Sequence, residues 1–247
     1  MAISPLNQRR IANFKANKRG YYSLWLFLIL FVFSLFAEFW ANDKPLLVSY
    51  NNTWYYPVLK DYSETTFGGT LESNTDYRDP YVSGLINEKG WIIWPPIRFS
   101  YSTINYNLTV PAPAPPSADN WLGTDDQGRD VFARVIYGLR ISILFGIALT
   151  VFSSIIGVCA GAIQGFYGGK IDLVGQRLIE IWSSLPSLYI LIIFSAMFVP
   201  GFWTLLLILL LFSWTHLVDV VRAEFLRARS LDYVRAARAL GVGNITL

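Results

Sequence analysis

The sequence is poor in charge. Asp, Glu, Lys and Arg make up 15% of its 247 residues, against roughly 25% in a soluble domain, while apolar residues make up 53%. The shortage is uneven. No charged side chain lies between Arg140 and Lys170, and none between Glu180 and Asp219. Gaps of that length cross a bilayer, which needs about 20 apolar residues, so a soluble globular class is excluded. Cys159 is the single cysteine, so no disulfide forms within the chain, and it reads as a small packing group. His216 is the single histidine and makes a poor metal site without other ligands near it. The net charge of +3 is too small to point to nucleic acid. No internal repeat is present. No nucleophile–base pair is legible, which leaves hydrolase and transferase readings without support.

What is present is an all-α integral membrane pattern. Four spans are predicted: 22–40, 141–163, 171–199 and 202–219. Each holds an apolar core near the length of a bilayer crossing. In the third, residues from Ile171 form a cytoplasmic lead-in and the span proper starts near Ile181. Residues 1–21 carry Arg9, Arg10, Lys15, Lys18 and Arg19 with no acid, which places the N-terminus in the cytoplasm. Parity then puts 41–138 outside, 164–170 inside, Pro200-Gly201 outside and 220–247 inside. The last segment carries Arg222, Arg227, Arg229, Arg235 and Arg238, so a second basic cluster agrees with the first. A cleaved signal peptide fits residues 1–40 poorly. The apolar run is long, and the exit Glu38-Phe-Trp-Ala-Asn-Asp43 lacks a small-x-small site.

The exterior segment is too long for a connector. Residues 41–120 read as a mostly irregular extracytoplasmic subdomain, ending in a stiff spacer over Val110-Pro-Ala-Pro-Ala-Pro-Pro116. Trp54, Tyr55, Tyr56, Trp91 and Trp94 suit either a peptide-contacting surface or a packed cap on the spans. In 121–140, Thr124 and Gln127 have capping-box spacing, and Val131, Phe132, Val135, Ile136 and Leu139 trace one apolar helical face. That predicts an interfacial helix. The sharper alternative makes Asp125, Asp126, Arg129 and Asp130 a gate or a docking rim.

The turn Gly165-Phe-Tyr-Gly-Gly-Lys170 is not a phosphate loop. Gln164 stands where a glycine is required and Ile171 where Ser or Thr is required. Its glycines predict a tight turn. Gly157 and Gly161 form a small-xxx-small face for close helix packing. Pro186, beside Ser183 and Ser184, predicts a kink that either packs or lines a pathway. Glu180 is placed to pair with Arg177 or to relay protons. His216, Asp219 and Arg222 form an interfacial stripe. The terminal stretch reads as a short helix. Ser230 is its N-cap, Asp232 lies in its first turn, Gly241 lies just past its end, and Tyr233, Ala236, Ala237 and Leu240 share one side.

Several of these segments resemble one family. Leu122-Gly-Thr-Asp-Asp-Gln-Gly-Arg-Asp130, Ile136-Tyr-Gly-Leu-Arg-Ile-Ser142, Phe166-Tyr-Gly-Gly169, Leu185-Pro-Ser187 and Asp232-Tyr-Val-Arg-Ala-Ala-Arg-Ala-Leu-Gly241 look like dipeptide and oligopeptide importer permeases. The last is similar to the EAA loop of ATP-binding-cassette importers. In the exterior insert, Asn42-Asp-Lys-Pro-Leu-Leu47, Glu64-Thr-Thr-Phe-Gly-Gly69, Asp76-Tyr-Arg-Asp-Pro80 and Trp94-Pro-Pro-Ile-Arg-Phe-Ser100 resemble the E-subunit permeases of Yej-type peptide importers, which also admit microcin C.

The resemblance implies a type I importer permease of the inner membrane that is not itself an enzyme. A periplasmic peptide-binding protein would deliver substrate to a cavity shared with a second, different permease. Two ATPase subunits would bind ATP and magnesium, with no cofactor bound by this chain. The EAA helix would couple them to the spans through Asp232, Tyr233, Arg235, Ala236, Ala237, Leu240 and Gly241. Arg235 stands where the family pattern has its leading Glu. The family loop also continues into further spans where this sequence stops at Leu247, which implies truncation. The competing class is a proton-coupled transporter using Glu180 and His216. A third is a membrane anchor whose exterior subdomain is the working part.

Overall fold

The computed structural model describes residues 4–199 and 201–243. Pro200 of the predicted external turn and residues 244–247 of the terminal segment lie outside the described residues. The chain divides into two compact units, Met1–Ser142 and Ile143–Leu247.

In the first unit, α1 (Pro5–Ala16) and α2 (Lys18–Leu35) are followed by the single turn α3 (Ala37–Trp40). The predicted first span is therefore α2 and α3, interrupted at Phe36. Residues 41–120 are less irregular than their composition predicts. Strands β1 (Leu47–Tyr50) and β2 (Thr53–Tyr55) form a hairpin. Its two turn residues, Asn51 and Asn52, have φ of 48° and 63°. Asparagine tolerates that left-handed region better than other side chains, so the pair makes a tight hairpin turn. Helix α4 (Pro80–Lys89) starts with Asp79, whose carboxylate accepts the Tyr81 N–H at 2.8 Å, and with proline in its first turn. It runs directly into β3 (Gly90–Ile93), which pairs antiparallel with β1 to give the order β2-β1-β3. One sheet face packs on α4 through Val48, Tyr50, Phe67, Val82 and Ile86. A second small core joins α3 to the start of the long helix that follows, through Ala37, Ala41, Ile97, Ala133 and Ile136.

The Pro-rich stretch is pinned rather than free. Ala114 donates its N–H to Thr124 Oγ1 at 2.9 Å, and the Thr124 N–H donates back to Ala114 O at 3.0 Å. Thr124 is therefore occupied and does not cap a helix. The predicted interfacial helix and second span are one element, α5 (Val131–Tyr167), of 37 residues. At 1.5 Å per residue that is about 55 Å, well beyond the hydrocarbon thickness of about 30 Å.

In the second unit, α5 is followed after Gly168 by α6 (Gly169–Ser183) and then α7 (Ser187–Met197). Gly168 and Gly169 make the turn, with φ of 63° and 55°. The last two helices are bent by 66° at the Pro186 break. The predicted third span is a bent pair, either a broken span or a re-entrant loop, and α7 alone is too short to cross. Helices α8 (Phe202–Ser213) and α9 (Thr215–Ala228) form a nearly continuous apolar rod, which extends about two turns past the predicted end of the fourth span. A short helix, α10 (Asp232–Ala239), follows. Among the described residues, three helices are long and apolar enough to cross a membrane, and the bent pair makes a fourth if it is one span.

Helix α5 packs on this rod through glycines. A Cβ on Gly157 would lie 2.7 Å from Trp214 O, one on Gly161 2.7 Å from Val218 O, and one on Gly165 2.6 Å from Arg222 O. Gly165 therefore belongs to the packing stripe, not to the predicted turn. Cys159 is exposed, so it is not the packing residue its apolar setting predicts.

Candidate coupling site and external rim

Helix α10 starts after Leu231, not Ser230. The Ser230 hydroxyl donates to Arg227 O at 2.7 Å and finishes α9 instead of capping α10. Asp232 lies in the first turn, where the helix dipole favours a carboxylate. At the far end Gly241 has φ +83°. Its N–H donates to Arg238 O at 3.0 Å, and the Val242 N–H donates to Ala237 O at 3.1 Å. That double bond pattern closes the helix and requires the left-handed residue that glycine supplies.

The two sides of α10 differ. Val234, 9% exposed, and half-buried Ala237 form the packed side. The Arg238 guanidinium lies 5.4 Å from the centre of the Phe166 ring, at the end of α5. Tyr233 at 70% exposure, Leu240 at 85%, Ala236 and Arg235 are open. The predicted stripe therefore splits, and Ala237 belongs with the inner side. Sequence spacing missed Val234, and it missed Arg238 because its partner Phe166 lies far away in the chain.

The predicted rim is mostly structural. Asp125 accepts the N–H groups of Gln127 and Arg129, both at 2.9 Å, and Arg129 Nε at 2.8 Å. Arg134 also donates to it. Burial works against ionisation here. The backbone N–H groups of Arg129 and Gln127 and the two guanidinium groups outweigh it and hold the carboxyl at about 2. Asp130 is fully buried and accepts from the Ala133 N–H at 2.7 Å and from Asn120 Nδ2 at 2.8 Å. It is the cap of α5 rather than a rim group. Of the four rim candidates, Asp126 alone is fully open, and Arg129 is half-buried in its ion pair.

The low value at Asp125 predicts a pH effect. A carboxyl lowered on folding adds stability that is complete above its ordinary value of 3.8 and is lost as pH falls toward 2. Asp125→Asn is expected to cost about 1–2 kcal/mol at pH 6, discounted because Arg134 is exposed. Thermal melts of the two forms are expected to converge between pH 4 and pH 2. A difference that persists at the lower limit sinks the assignment.

In the bent pair, Ser184 Oγ donates to Glu180 O at 2.7 Å, and Ser183 and Ser184 are both exposed beside the Pro186 break. Glu180 accepts from Arg177 Nη1 at 2.6 Å, the pairing its spacing predicts. His216 is exposed on α9, while Asp219 and Arg222 engage α6. The Arg222 guanidinium grips both Asp172 oxygens, with Nη2 to Oδ2 at 2.7 Å. Gln176 Nε2 donates to Gln164 Oε1 at 2.9 Å and to Asp219 Oδ1 at 3.3 Å. The predicted polar stripe is thus half of a cluster that joins α5, α6 and α9.

Glycine-packed apolar helices, a sharply bent helix pair and a short amphipathic helix after the last rod define a polytopic helical permease. The chain belongs to the inner-membrane permeases of binding-protein-dependent, ATP-binding-cassette transport systems. Residues 157–247 match the family described as binding-protein-dependent transport system inner membrane component. The chain is 57% identical over 242 residues to the inner membrane ABC transporter permease protein YejE of Escherichia coli, covering 98% of this chain and 71% of that protein. It is 56% identical over 269 residues to the peptidoglycan transport system permease protein YejE of Agrobacterium fabrum, covering 99% and 70%. The oligopeptide transport system permease protein OppC of Bacillus subtilis is 38% identical over 144 residues, or 58% of this chain and 46% of that protein. The all-α type I permease class predicted from the sequence therefore holds. The protein is a multi-pass inner-membrane subunit. Permeases of this family are not themselves enzymes and work with ATPase and substrate-binding partners.

Proposed function

We propose that this chain is one permease of a peptide importer, paired with a second and different permease and driven by two ATPase subunits. ATP and magnesium belong to those ATPases. A soluble peptide-binding protein delivers oligopeptides or microcin C-like peptides to the exterior side. The N-terminus and α10 face the cytoplasm. The observation that carries this reading is α10 itself. It is a capped helix that keeps Tyr233, Ala236 and Leu240 open to solvent, three residues beyond a membrane rod. An apolar face left open there needs a protein partner. The names of the relatives support peptides as cargo.

The coupling residues have separate expected roles. Tyr233, Ala236 and Leu240 contact the ATPase, with Arg235 and Asp232 at the edge of the contact. Ala237 and Gly241 hold the helix in shape. Leu240→Asp leaves every internal contact in place, since the side chain is 85% exposed. It is expected to lower peptide uptake at least about tenfold in the intact importer. Gly241→Pro is expected to do the same by a different route, because proline reaches neither φ +83° nor the N–H bond to Arg238. Uptake is expected to be blocked by vanadate and to survive loss of the proton gradient. Normal uptake by both variants, or abolition by an uncoupler alone, overturns the reading.

A further inference from the structure

The cluster between α6 and α9 has a geometry that packing alone does not require. Helices α5 and α9 meet through glycines, yet here two elements are joined by a bidentate ion pair flanked by amides. Asp172 is 9% exposed and its two oxygens are both taken by Arg222. One turn along α6, Gln176 bridges Gln164 on α5 and Asp219 on α9. At the other end of α6, Trp182 Nε1 donates to Leu211 O on α8 at 2.7 Å, and its ring stacks on Phe212. Helix α6 is therefore clamped at both ends to the α8–α9 rod. The rod continues to Ala228, and only three residues separate it from α10. Arg229, the first of those three, lays its guanidinium against Gly168, the residue that joins α5 to α6. Beyond the clamp on α6 comes the Pro186 break and the 66° bend into α7.

These contacts form one mechanical series: α10, α9, the Asp172–Arg222 pair with its Gln176 brace, α6, the break, α7. We propose that Asp172 and Arg222 are positioning residues that transmit displacement of α10 to the broken span, so that the α6–α7 bend changes when α10 moves. A bidentate guanidinium–carboxylate pair fixes direction as well as distance, which a greasy contact between smooth helices does not. The break supplies the element with more than one available angle, because proline removes the hydrogen bond that would hold the helix straight. Without the pair, the Trp182 contact still ties the far end of α6 to the rod, but the near end of α6 no longer follows α9 and the bend is no longer driven.

This inference rests on the coupling role of α10 proposed above, and its test separates the two. Spin labels are placed at Ala239→Cys on α10, outside the proposed ATPase contact, and at Leu188→Cys on α7, both exposed positions, with Cys159 replaced by serine. Each label is paired with one on the rod, at Val220→Cys, in the intact importer. Adding ATP is expected to shift both distances in the otherwise native importer. If neither shifts there, the coupling role of α10 fails. In Asp172→Asn, the α10 distance is expected to shift as before while the α7 distance stays fixed, with uptake reduced about tenfold. Asp172→Arg combined with Arg222→Asp is expected to restore the α7 response. Gln176→Ala removes only the brace and is expected to blunt the α7 response without affecting assembly. It is the readout if Asp172→Asn does not assemble. An unchanged α7 response in a variant that assembles overturns the proposal.

Discussion

Gly161→Leu is expected to leave the importer unassembled or melting far below the native form. A Cβ at Gly161 would sit 2.7 Å from Val218 O, 2.9 Å from Val221 Cβ and 3.1 Å from Arg222 N. Two of those three atoms are backbone, so no rotamer change relieves the clash. The whole of α9 has to move away from α5. The same rhythm holds one turn to either side, at Gly157 against Trp214 O and at Gly165 against Arg222 O and Phe225 Cβ. Displacing one contact therefore loosens all three, and with them the Gln164–Gln176 bridge. Overpacking of this kind costs about 1–3 kcal/mol in an adaptable core. Against a rigid carbonyl we expect the upper end or beyond, about 3 kcal/mol or more. Gly161→Ala is expected to fall between the two. The control lies on the same helix. Gly138 and Gly146 have nothing within 4 Å of a built Cβ, so alanine at either is expected to be close to neutral. Detergent-solubilised importer followed by size-exclusion chromatography and thermal melting reads all four. A Gly161→Leu form that melts with the native protein shows that α5 and α9 do not approach this closely.

Features written locally in the chain were legible, and features that need two distant segments were not. The spans, the break at Pro186, the Gly157–Gly161 face, the Arg177–Glu180 pair and the glycine after α10 each rest on residues within one or two turns of one another. The Asp172–Arg222 pair spans 50 positions, and nothing near Asp172 announces its partner. Local spacing puts Gly165 in the turn because it stands three residues before two true turn glycines, and spacing cannot separate a turn from a stripe. The three-stranded sheet did leave signals. Asn51-Asn52 between two short apolar and aromatic runs is a hairpin signature, and Asp79-Pro80 is a helix start. High aromatic content masked both, since strands of three or four residues show no reliable alternation. On α10, helical spacing puts the open residues Tyr233, Ala236 and Leu240 on one side. It did not separate them from Ala237, because the packed side is defined by Val234 and by Arg238 over Phe166.

Asp130 offers the second large effect, and it decides between a rim and a cap. Asn105 Nδ2 donates to Asn120 Oδ1 at 2.9 Å, Asn120 Nδ2 donates to Asp130 Oδ2 at 2.8 Å, and the Ala133 N–H donates to Asp130 Oδ1 at 2.7 Å. Every proton in that chain points toward Asp130, so the position needs two acceptors and no donor. Asp130→Ala strands the Asn120 amide and the Ala133 N–H in a buried site. Each unpaired group costs about 1–3 kcal/mol, so a total near 3 kcal/mol is expected. Asp130→Asn is expected to be nearly as harmful despite its shape. Its oxygen can serve Ala133 or Asn120 but not both, and its amide would face another donor. Turning the Asn120 amide to accept instead would break its bond from Asn105. Asp126→Ala, one position on from Asp125 and exposed, is expected to leave the melting temperature unchanged. Amide hydrogen exchange over 130–136 is expected to quicken in the Asp130 variants and not in Asp126→Ala. A docking role for Asp130 predicts the reverse, with native stability and exchange but weaker capture of the binding protein. A normally stable Asp130→Ala importer would therefore return this carboxylate to the rim.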